Sequence, residues 1–165
     1  MKNKVVIIGA GAAGLFAAMS AAENGADVVV LEKMTSPARK LAITGKGRCN
    51  LTTSNEIPAA LKEFGKNGRF LRGAFSRFYS QQLIELLGSL GIEVTVERGQ
   101  RIFPMAMRAP QVVERLLFRL RELGVSIKTG VRATGIETQS GHVSGVETAD
   151  GFYAAGLVIL CTGGA

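Results

Sequence analysis

The chain has 165 residues, of which 47% are apolar and 20% charged, with 21 glycines and a formal net charge of +7. This length supports one well-buried domain, and the apolar content excludes a disordered chain. The two cysteines have no metal-binding spacing and give no indication of a disulfide framework, which favours a reducing, cytoplasmic compartment.

The positive charge is concentrated in the middle of the chain. Residues 33–128 hold 17 of the 20 Lys and Arg residues but only 7 of the 13 Asp and Glu residues. Such an excess attracts anionic cofactors and substrates. Two other interpretations stay open: charge that serves solubility, and a basic surface that faces a segment outside this chain.

The first 32 residues place a glycine-rich turn between two apolar runs. Val5–Ile8 is followed by Gly9-Ala-Gly11-Ala-Ala-Gly14, a small-residue helix, and Val28–Leu31 with Glu32 at its end. Strand, turn, helix and strand form the context in which G-x-G-x-x-G binds a dinucleotide. The second glycine lets backbone approach a pyrophosphate, and the helix N-terminus offers unpaired amides. Glu32 would accept the ribose hydroxyls and repel a 2′-phosphate, which disfavours NADP at this site.

The same stretch also has features of a signal peptide or a short membrane span. Lys2 and Lys4 precede an uncharged run from Val5 to Ala22. Glycine and serine interrupt this run at four positions, and its apolarity is mostly alanine. We therefore predict neither secretion nor a membrane partner.

Residues 33–55 lack periodicity and are predicted to form a long functional loop. The loop contains Thr44-Gly-Lys-Gly-Arg-Cys-Asn50. Its two glycines would let consecutive amides form an anion-binding nest, to which Lys40, Lys46 and Arg48 add positive charge. The threonine and asparagine at its ends supply neutral hydrogen bonds suited to a flavin edge or ribityl chain. A mobile, solvated loop is the alternative.

The following stretch, residues 58–80, interleaves four phenylalanines with five Lys and Arg residues. Proteins that bind single-stranded nucleic acid combine these residue types. The favoured interpretation is that the phenylalanines are buried and the charges line the outer face. Nucleic acid is accordingly a disfavoured partner.

The remaining elements alternate between helix and strand patterns. Predicted are a helix over 81–90, a strand over 92–98 that turns into Arg101–Pro104, a helix over 110–123 and a strand over 125–128 that returns to a parallel sheet. A β-meander follows over 131–138, 142–148 and 152–154, and then an apolar strand over 157–161 that is predicted to be buried and central.

Few side chains qualify for catalysis. His142 lies beside a hairpin glycine without an orienting partner and is predicted to be an exposed turn residue. Cys49 could have a lowered pKa in its basic loop, although a structural or cofactor-packing thiol is favoured, and Cys161 should be inert. Arg101 is a candidate anion contact, with a structural salt bridge as the favoured alternative. The catalytic residues are therefore unassigned.

Four separated segments together resemble the HI0933-like flavoprotein family, also described as BaiN-type or NAD(P)/FAD-dependent oxidoreductases. They are the fingerprint ending at Glu32, the loop from Lys40 to Asn50, Arg101–Pro104, and the terminal Val-Ile-Leu-Cys-Thr-Gly-Gly. The expected fold class is α/β: a Rossmann-like FAD-binding domain with a parallel central sheet, a βαβ start and a β-meander near the C-terminus. The resemblance implies non-covalent FAD bound by Gly9, Gly11, Ala12, Ala13, Gly14, Glu32, Lys33, Lys40, Leu41, Thr44, Gly45, Arg48, Cys49, Asn50, Ala133, Thr162 and Gly163.

Within that set, the resemblance assigns different parts of the cofactor to different segments. The glycine turn would surround the pyrophosphate, and the loop after Lys40 would lie along the ribityl–flavin side. The backbone of Ala133 would meet adenine, and the turn at Thr162 and Gly163 would close over the cofactor. Lys46 fills a position that is often glycine in the family.

Members of the family are about twice as long as this chain or longer. We therefore expect residues 1–165 to form one FAD-binding domain with a helical and hairpin insertion at 51–108, and a substrate domain and C-terminal FAD segment to lie outside the chain. The expected reaction passes hydride between NAD(P)H, or a small organic substrate, and flavin. The alternatives are a catalytically inactive dinucleotide-binding fragment and an RNA-associated flavoprotein.

Overall fold

The computed structural model describes residues 3–164. In chain order its elements are β1 (Lys4–Ile8), α1 (Ala12–Glu23), β2 (Asp27–Glu32), α2 (Arg39–Gly47), β3 (Thr52–Thr53), α3 (Ile57–Glu63), a 3₁₀ turn (Gly65–Asn67), α4 (Gly68–Phe75), α5 (Ser80–Ser89), β4 (Val94–Glu97), β5 (Arg101–Pro104), α6 (Ala109–Glu122), β6 (Ser126–Thr129), β7 (Ala133–Gln139), β8 (His142–Thr148), β9 (Gly151–Ala154) and β10 (Leu157–Leu160).

The chain divides into two compact units, one formed by residues 1–42 and 113–165 and the other by residues 43–112. The first unit contains a four-stranded parallel sheet in the order β10-β1-β2-β6, and a separate antiparallel sheet in the order β7-β8-β9. The predicted βαβ start, parallel sheet and C-terminal meander are confirmed. The range 51–108, expected to be an insertion, falls inside the second unit.

Burial explains why β1 and α1 form where they do. The apolar run Val5–Ile7 is buried, as a parallel strand covered on both faces requires. On α1, Leu15, Ala18 and Met19 follow the helical repeat and are buried, so this face packs on the sheet. Since the helix carries small side chains, it can lie close to the strands.

The meander packs onto the sheet through a small apolar cluster. Val6 and Leu31 from the parallel strands are buried together with Val146 from β8 and Ala155 after β9. The side chain of Ala133, at the start of β7, lies against this cluster and is only partly buried. The cluster therefore fixes the start of the meander relative to the parallel sheet within the first unit.

The prediction that β10 is a buried central strand is wrong. Within residues 3–164, β10 pairs only with β1 and lies at the edge of its sheet. Leu160 is 64% exposed and Leu157 49% exposed, while Val158 packs against the cluster around Val6. An all-apolar run reports residue type, not the number of neighbouring strands, and this is why the pattern misplaced β10.

The second unit holds a three-stranded antiparallel sheet, β3-β5-β4, with the helices α3, α4 and α5. Its β4–β5 hairpin confirms the turn predicted before Arg101. Ile102 and Phe103 of β5 are buried, as are Leu87 of α5 and Ile92. These apolar side chains form the interior of the unit.

Two expectations for this part of the chain are wrong. Residues 39–43 are helical rather than loop, whereas Thr44, Gly45 and Lys46 have non-helical backbone angles. Of the four phenylalanines expected to be buried, Phe64, Phe70 and Phe78 are exposed. The short helix α4 buries too little surface to cover them. Among the described residues, no helix combines the length and apolarity needed to cross a bilayer.

Candidate functional site

The glycine turn of the first unit is shaped by two backbone approaches that exclude side chains. Gly9 has φ +104°, and a Cβ on it would lie 2.8 Å from the carbonyl carbon of Cys161. A Cβ on Gly14 would overlap the Gly9 carbonyl oxygen and lie 3.0 Å from its carbon. Both positions therefore require glycine for packing within the protein.

Gly11, between these two, differs from them. Its φ is −77°, and a Cβ built on it would have no atom within 4 Å. It is the N-cap of α1 and provides no side-chain cap, so the amides of Ala12, Ala13 and Gly14 have no intrahelical acceptor. The turn thus presents helix-end amides beside open space, the arrangement that binds phosphate.

Glu32, the last residue of β2, is held in place by the backbone around it. One carboxylate oxygen accepts a hydrogen bond from the Ala10 amide at 2.8 Å, and the other accepts one from the Met34 amide at 2.9 Å. A carboxylate has about four acceptor positions, so about two remain for further donors. The bond from Ala10 fixes the carboxylate beside the glycine turn, and Lys33 follows it as an exposed side chain.

Two further segments of the first unit reach these strand ends. The Val131 amide donates to the Glu32 carbonyl at 2.9 Å, which places the chain leading to Ala133 beside β2. The Cys161 amide donates to the Ile8 carbonyl at 2.8 Å, so the exposed Thr162 and Gly163 follow beside the turn. The carboxyl ends of parallel strands are where ligands bind in such sheets.

The start of α2 also contacts the turn. The Ala38 amide donates to the Ala10 carbonyl at 2.8 Å, and Ala38 has φ +55°. The exposed Lys40 and the half-buried Leu41 follow in the first turn of α2. Of the proposed cofactor-binding residues, twelve thus lie in the first unit: Gly9, Gly11, Ala12, Ala13, Gly14, Glu32, Lys33, Lys40, Leu41, Ala133, Thr162 and Gly163.

The other five, Thr44, Gly45, Arg48, Cys49 and Asn50, lie in the second unit. Here the chain turns left-handed at Gly45, Lys46 and Gly47, with φ of +57°, +56° and +81°. The Arg48 amide donates to the Gly45 carbonyl at 3.1 Å, and the Cys49 amide donates to the Thr44 carbonyl at 3.0 Å. The loop uses these two amides itself, so they are not available to the predicted nest.

The buried thiol of Cys49 is not an activated nucleophile. Burial raises the pKa of Cys49, and a hydrogen bond with the Thr44 side chain only partly offsets this. The alternative of a lowered pKa is therefore wrong, because the nearby positive charge is directed elsewhere. Burial also raises the pKa of Cys161.

Arg48 makes contacts that sequence reasoning did not identify. Its guanidinium pairs with both carboxylate oxygens of Glu97 in β4 and lies 4.6 Å from the centre of the Phe103 ring. This hydrogen-bonded pairing raises the pKa of Arg48 and lowers that of Glu97. The pair joins residues 49 positions apart in sequence, so no local pattern could have revealed it.

The family model for the HI0933-like protein Rossmann domain matches residues 3–165. The chain belongs to the HI0933-like family. Its four resembling segments, from the glycine turn to the turn at Thr162, therefore lie within one matched domain.

Curated relatives include two kinds of named enzyme. This HI0933-like chain is 38% identical over 165 residues to a 3-dehydro-bile acid delta(4,6)-reductase of Clostridium scindens, a match that covers 98% of the chain and 39% of that protein. It is 37% identical over 87 residues to a ribosomal RNA dihydrouridine synthase of Escherichia coli, covering 53% of the chain and 21% of that protein. The chain thus spans about two fifths of the length of the first relative.

Solved structures show the same fold. The crystal structure of THI4 from Thermovibrio ammonificans has a TM-score of 0.65 and 15% identity, over 98% of this chain and 58% of that one. At this identity the likeness establishes the Rossmann-like fold alone.

Three backbone contacts at the site were missed from the sequence. The amides of Ala10, Met34 and Ala38 hold Glu32 and the glycine turn together. Ala10 lies inside the fingerprint, where its buried side chain gives no sign that its amide is used. Backbone donors of this kind leave no signature in residue type.

Proposed function

We propose that this chain is the FAD-binding part of a flavin-dependent oxidoreductase that uses NAD(P)H to reduce a carbon–carbon double bond conjugated to a carbonyl group. The cofactor is FAD. The observation that carries the proposal is the contrast among three glycines: Gly9 and Gly14 are closed by backbone, whereas Gly11 faces open space beside helix-end amides. A middle glycine that is open to solvent beside unpaired helix-end amides is the arrangement that binds a pyrophosphate.

The residues present fit the adenosine half of FAD. Helix-end amides of Ala12, Ala13 and Gly14 would bind the pyrophosphate oxygens, and the macrodipole of α1 adds a partial positive charge there. The two remaining acceptor positions on Glu32 match the two hydroxyl donors of a ribose. Its negative charge would repel a 2′-phosphate, so NADP is not the occupant of this particular position.

The second unit holds the residues that the family resemblance assigns to the flavin half. Gly45 is close to Asn50, since a Cβ on it would lie 3.0 Å from the Asn50 amide nitrogen. The left-handed turn at Gly45, Lys46 and Gly47 and the exposed Asn50 side chain would contact a ribityl chain or a ring edge. Arg48, already paired with Glu97, would act mainly by holding the loop in this shape.

Bound FAD would supply a two-electron carrier that takes hydride from a reduced nicotinamide and passes it to the substrate. This chain's own residues would bind and orient the carrier. The protein would exclude competing reactions by holding the cofactor at fixed strand ends. No described residue is assigned to donate the balancing proton.

The names of the two relatives describe one chemical feature. A 3-dehydro bile acid with delta(4,6) unsaturation carries double bonds conjugated to a ketone. Dihydrouridine differs from uridine by reduction of a ring double bond conjugated to a carbonyl. In both substrates the carbonyl draws electrons from the double bond, so the carbon remote from it accepts hydride and its neighbour accepts a proton. This shared feature supports an activated alkene as the substrate class.

The test begins with the purified protein. Flavin released on denaturation, together with NAD(P)H oxidation that requires an added conjugated enone, would support the proposal. A colourless protein that binds ADP but not FAD would instead support the inactive dinucleotide-binding fragment. Flavin reduction without any response to enones would refute the substrate class while leaving the cofactor assignment intact.

The two acids at opposite ends of β2 provide a matched pair of variants. Glu32→Gln keeps the size of the side chain and removes its charge, and Asp27→Asn does the same at the exposed start of the strand. We expect Glu32→Gln to weaken FAD binding about tenfold or more, since hydrogen bonds to a charged group contribute about 1.5–3 kcal/mol. Asp27→Asn should bind FAD normally. Equal affinities of both variants would refute the ribose assignment.

A further inference from the structure

The helix α4 exposes a large aromatic side chain to solvent. Phe70 is 89% exposed, and Phe64, just before the 3₁₀ turn, is 50% exposed. By contrast, Phe75 on the other side of α4 is partly buried and packs on the rings of Phe64 and Tyr79, with centroids 6.0 Å and 4.8 Å away. The second unit therefore uses Phe75 for packing and leaves Phe70 available for a partner.

Phe70 lies in a stripe of positively charged side chains. Lys66, Phe70, Gly73 and Arg77 are spaced by 4, 3 and 4 residues, the spacing of one helical face. Beyond α4 the helical turn continues, because the Ser76 amide donates to the Arg72 carbonyl and the Arg77 and Phe78 amides donate to the Ala74 carbonyl. We call Lys66, Phe70 and Arg77 the α4 face, which the exposed Arg69 flanks.

The charge of this face is uncompensated. Residues 64–84 contain four Lys and Arg residues and no Asp or Glu. Within residues 3–164, ion pairs form at Arg48 and Arg119, and none forms at the four basic residues of this stretch. These cations are exposed, so they are available to polyanions.

An exposed ring among cations selects one kind of partner. Single-stranded nucleic acid offers base faces that stack on aromatic rings and phosphates that bind Lys and Arg. An acidic peptide would use the cations but not the ring. Uracil is a base of RNA, which connects this partner with the reduction proposed above.

We propose that the α4 face binds single-stranded RNA, with Phe70 stacking on a base and the surrounding cations contacting phosphates. RNA binding by the face does not require flavin, and it rests on the function proposed above only for what is then done to the RNA. An enzyme that reduces a uracil base within RNA must also hold the RNA strand beyond the reacting base, and the α4 face provides this contact.

The binding test uses fluorescence anisotropy with a labelled oligouridine of about 12 nucleotides, within the range of single-strand sites of about 4–16 nucleotides. We expect Phe70→Ala to weaken binding about 5- to 150-fold, the range for losing one stacked base. Phe70→Trp should retain binding. Phe118→Ala is the matched control, because Phe118 is 53% exposed on α6, and it should leave affinity unchanged.

Charge is tested by the dependence of affinity on salt. Arg77→Gln should make the slope of log affinity against log salt shallower by about 0.7, the value for one phosphate contact to a single strand. Arg121→Gln, an exposed position on α6, should leave the slope unchanged. An RNA duplex of equal length should compete at least about tenfold less well, because its bases are already stacked.

Several results would overturn the proposal. They are absence of oligouridine binding at low salt, equal affinities of the Phe70→Ala and wild-type proteins, equal losses in Phe70→Ala and Phe118→Ala, and equal competition by the duplex. Flavin content and NAD(P)H oxidation with a small enone are measured on the same Phe70→Ala protein and should match wild type. RNA binding without flavin would refute the proposed function alone, and flavin turnover without RNA binding would refute the α4 face alone.

Discussion

The same substitution should have opposite consequences at two glycines of one turn. Gly14→Ala places a methyl group on the Gly9 carbonyl oxygen, and 3.4 Å from the Cβ of Cys161. Gly11→Ala places it where no atom lies within 4 Å, at a φ of −77° that alanine adopts readily. We therefore expect Gly14→Ala to damage folding and Gly11→Ala to damage cofactor binding.

The magnitudes follow from what each methyl group meets. Overpacking a core costs about 1–3 kcal/mol, and the obstacle at Gly14 is backbone that cannot rotate away, so we expect the upper value, about 3 kcal/mol. For a domain of this size that corresponds to a loss of about 6–12 °C in Tm. At Gly11, alanine is a poorer N-cap than glycine, which destabilises the protein, but it also lowers the entropy of the unfolded chain, which stabilises it. Because these effects oppose each other, we expect the free energy of unfolding to change by no more than about 0.5 kcal/mol.

Two assays separate these effects. Urea unfolding of the FAD-free protein, followed by circular dichroism, measures stability, and quenching of flavin fluorescence measures FAD affinity. Gly11→Ala should unfold like wild type and bind FAD at least about tenfold more weakly, because its methyl group occupies the space that a pyrophosphate needs. Wild-type FAD affinity in Gly11→Ala, or wild-type stability in Gly14→Ala, would refute the reasoning about this turn.

Three further changes test the second unit. Lys46→Gly should raise the unfolding free energy by about 1 kcal/mol in urea titrations, because Lys46 has φ +56° and a non-glycine residue is strained there; Lys46→Ala, which keeps the strain, should not. Cys49 has a raised pKa in the folded state, so the unfolded chain loses its thiol proton first and stability should fall as the pH rises past the ordinary thiol value. Cys49→Ala should flatten this fall above about pH 8.5, and an unchanged profile would contradict it. The pKa of Glu97 is lowered by Arg48, so its contribution should be lost as the pH falls through the folded value, and Glu97→Gln should remove that acid dependence.

The sequence predicted best those features that depend on local backbone. Gly9 and Gly14 were identified from spacing alone, and the structure shows the close approaches that require them. The hairpin before Arg101 and the meander starting near Ala133 were likewise placed to within about two residues, since turn glycines and alternating strands are local signals. Glu32 was identified as the ribose-binding residue because it ends the second predicted strand, where the dinucleotide fingerprint has an acidic residue.

Features that depend on distant parts of the chain were not predictable in this way. The partner of Arg48 is Glu97, far along the sequence, and the pKa of Cys49 depends on burial that no neighbouring residue reveals. The edge position of β10 depends on which strands pair with it. In each case the deciding quantity is a spatial neighbour, and residue type carries little information about it.

For the phenylalanines of the second unit, the sequence contains information about burial that residue type alone does not give. Phe70 and Phe75 have the same side chain, and composition alone predicts that both are buried. Their positions in the helical repeat differ: Phe70 is four residues after Lys66 and seven before Arg77, whereas Phe75 is four residues before Tyr79. One turn away from Phe70 lie Gly73 and Ala74, which are too small to cover the ring, so its exposure follows from the repeat. Periodicity, applied to the charges as well as to the apolar residues, therefore separates the packing ring from the one on the α4 face.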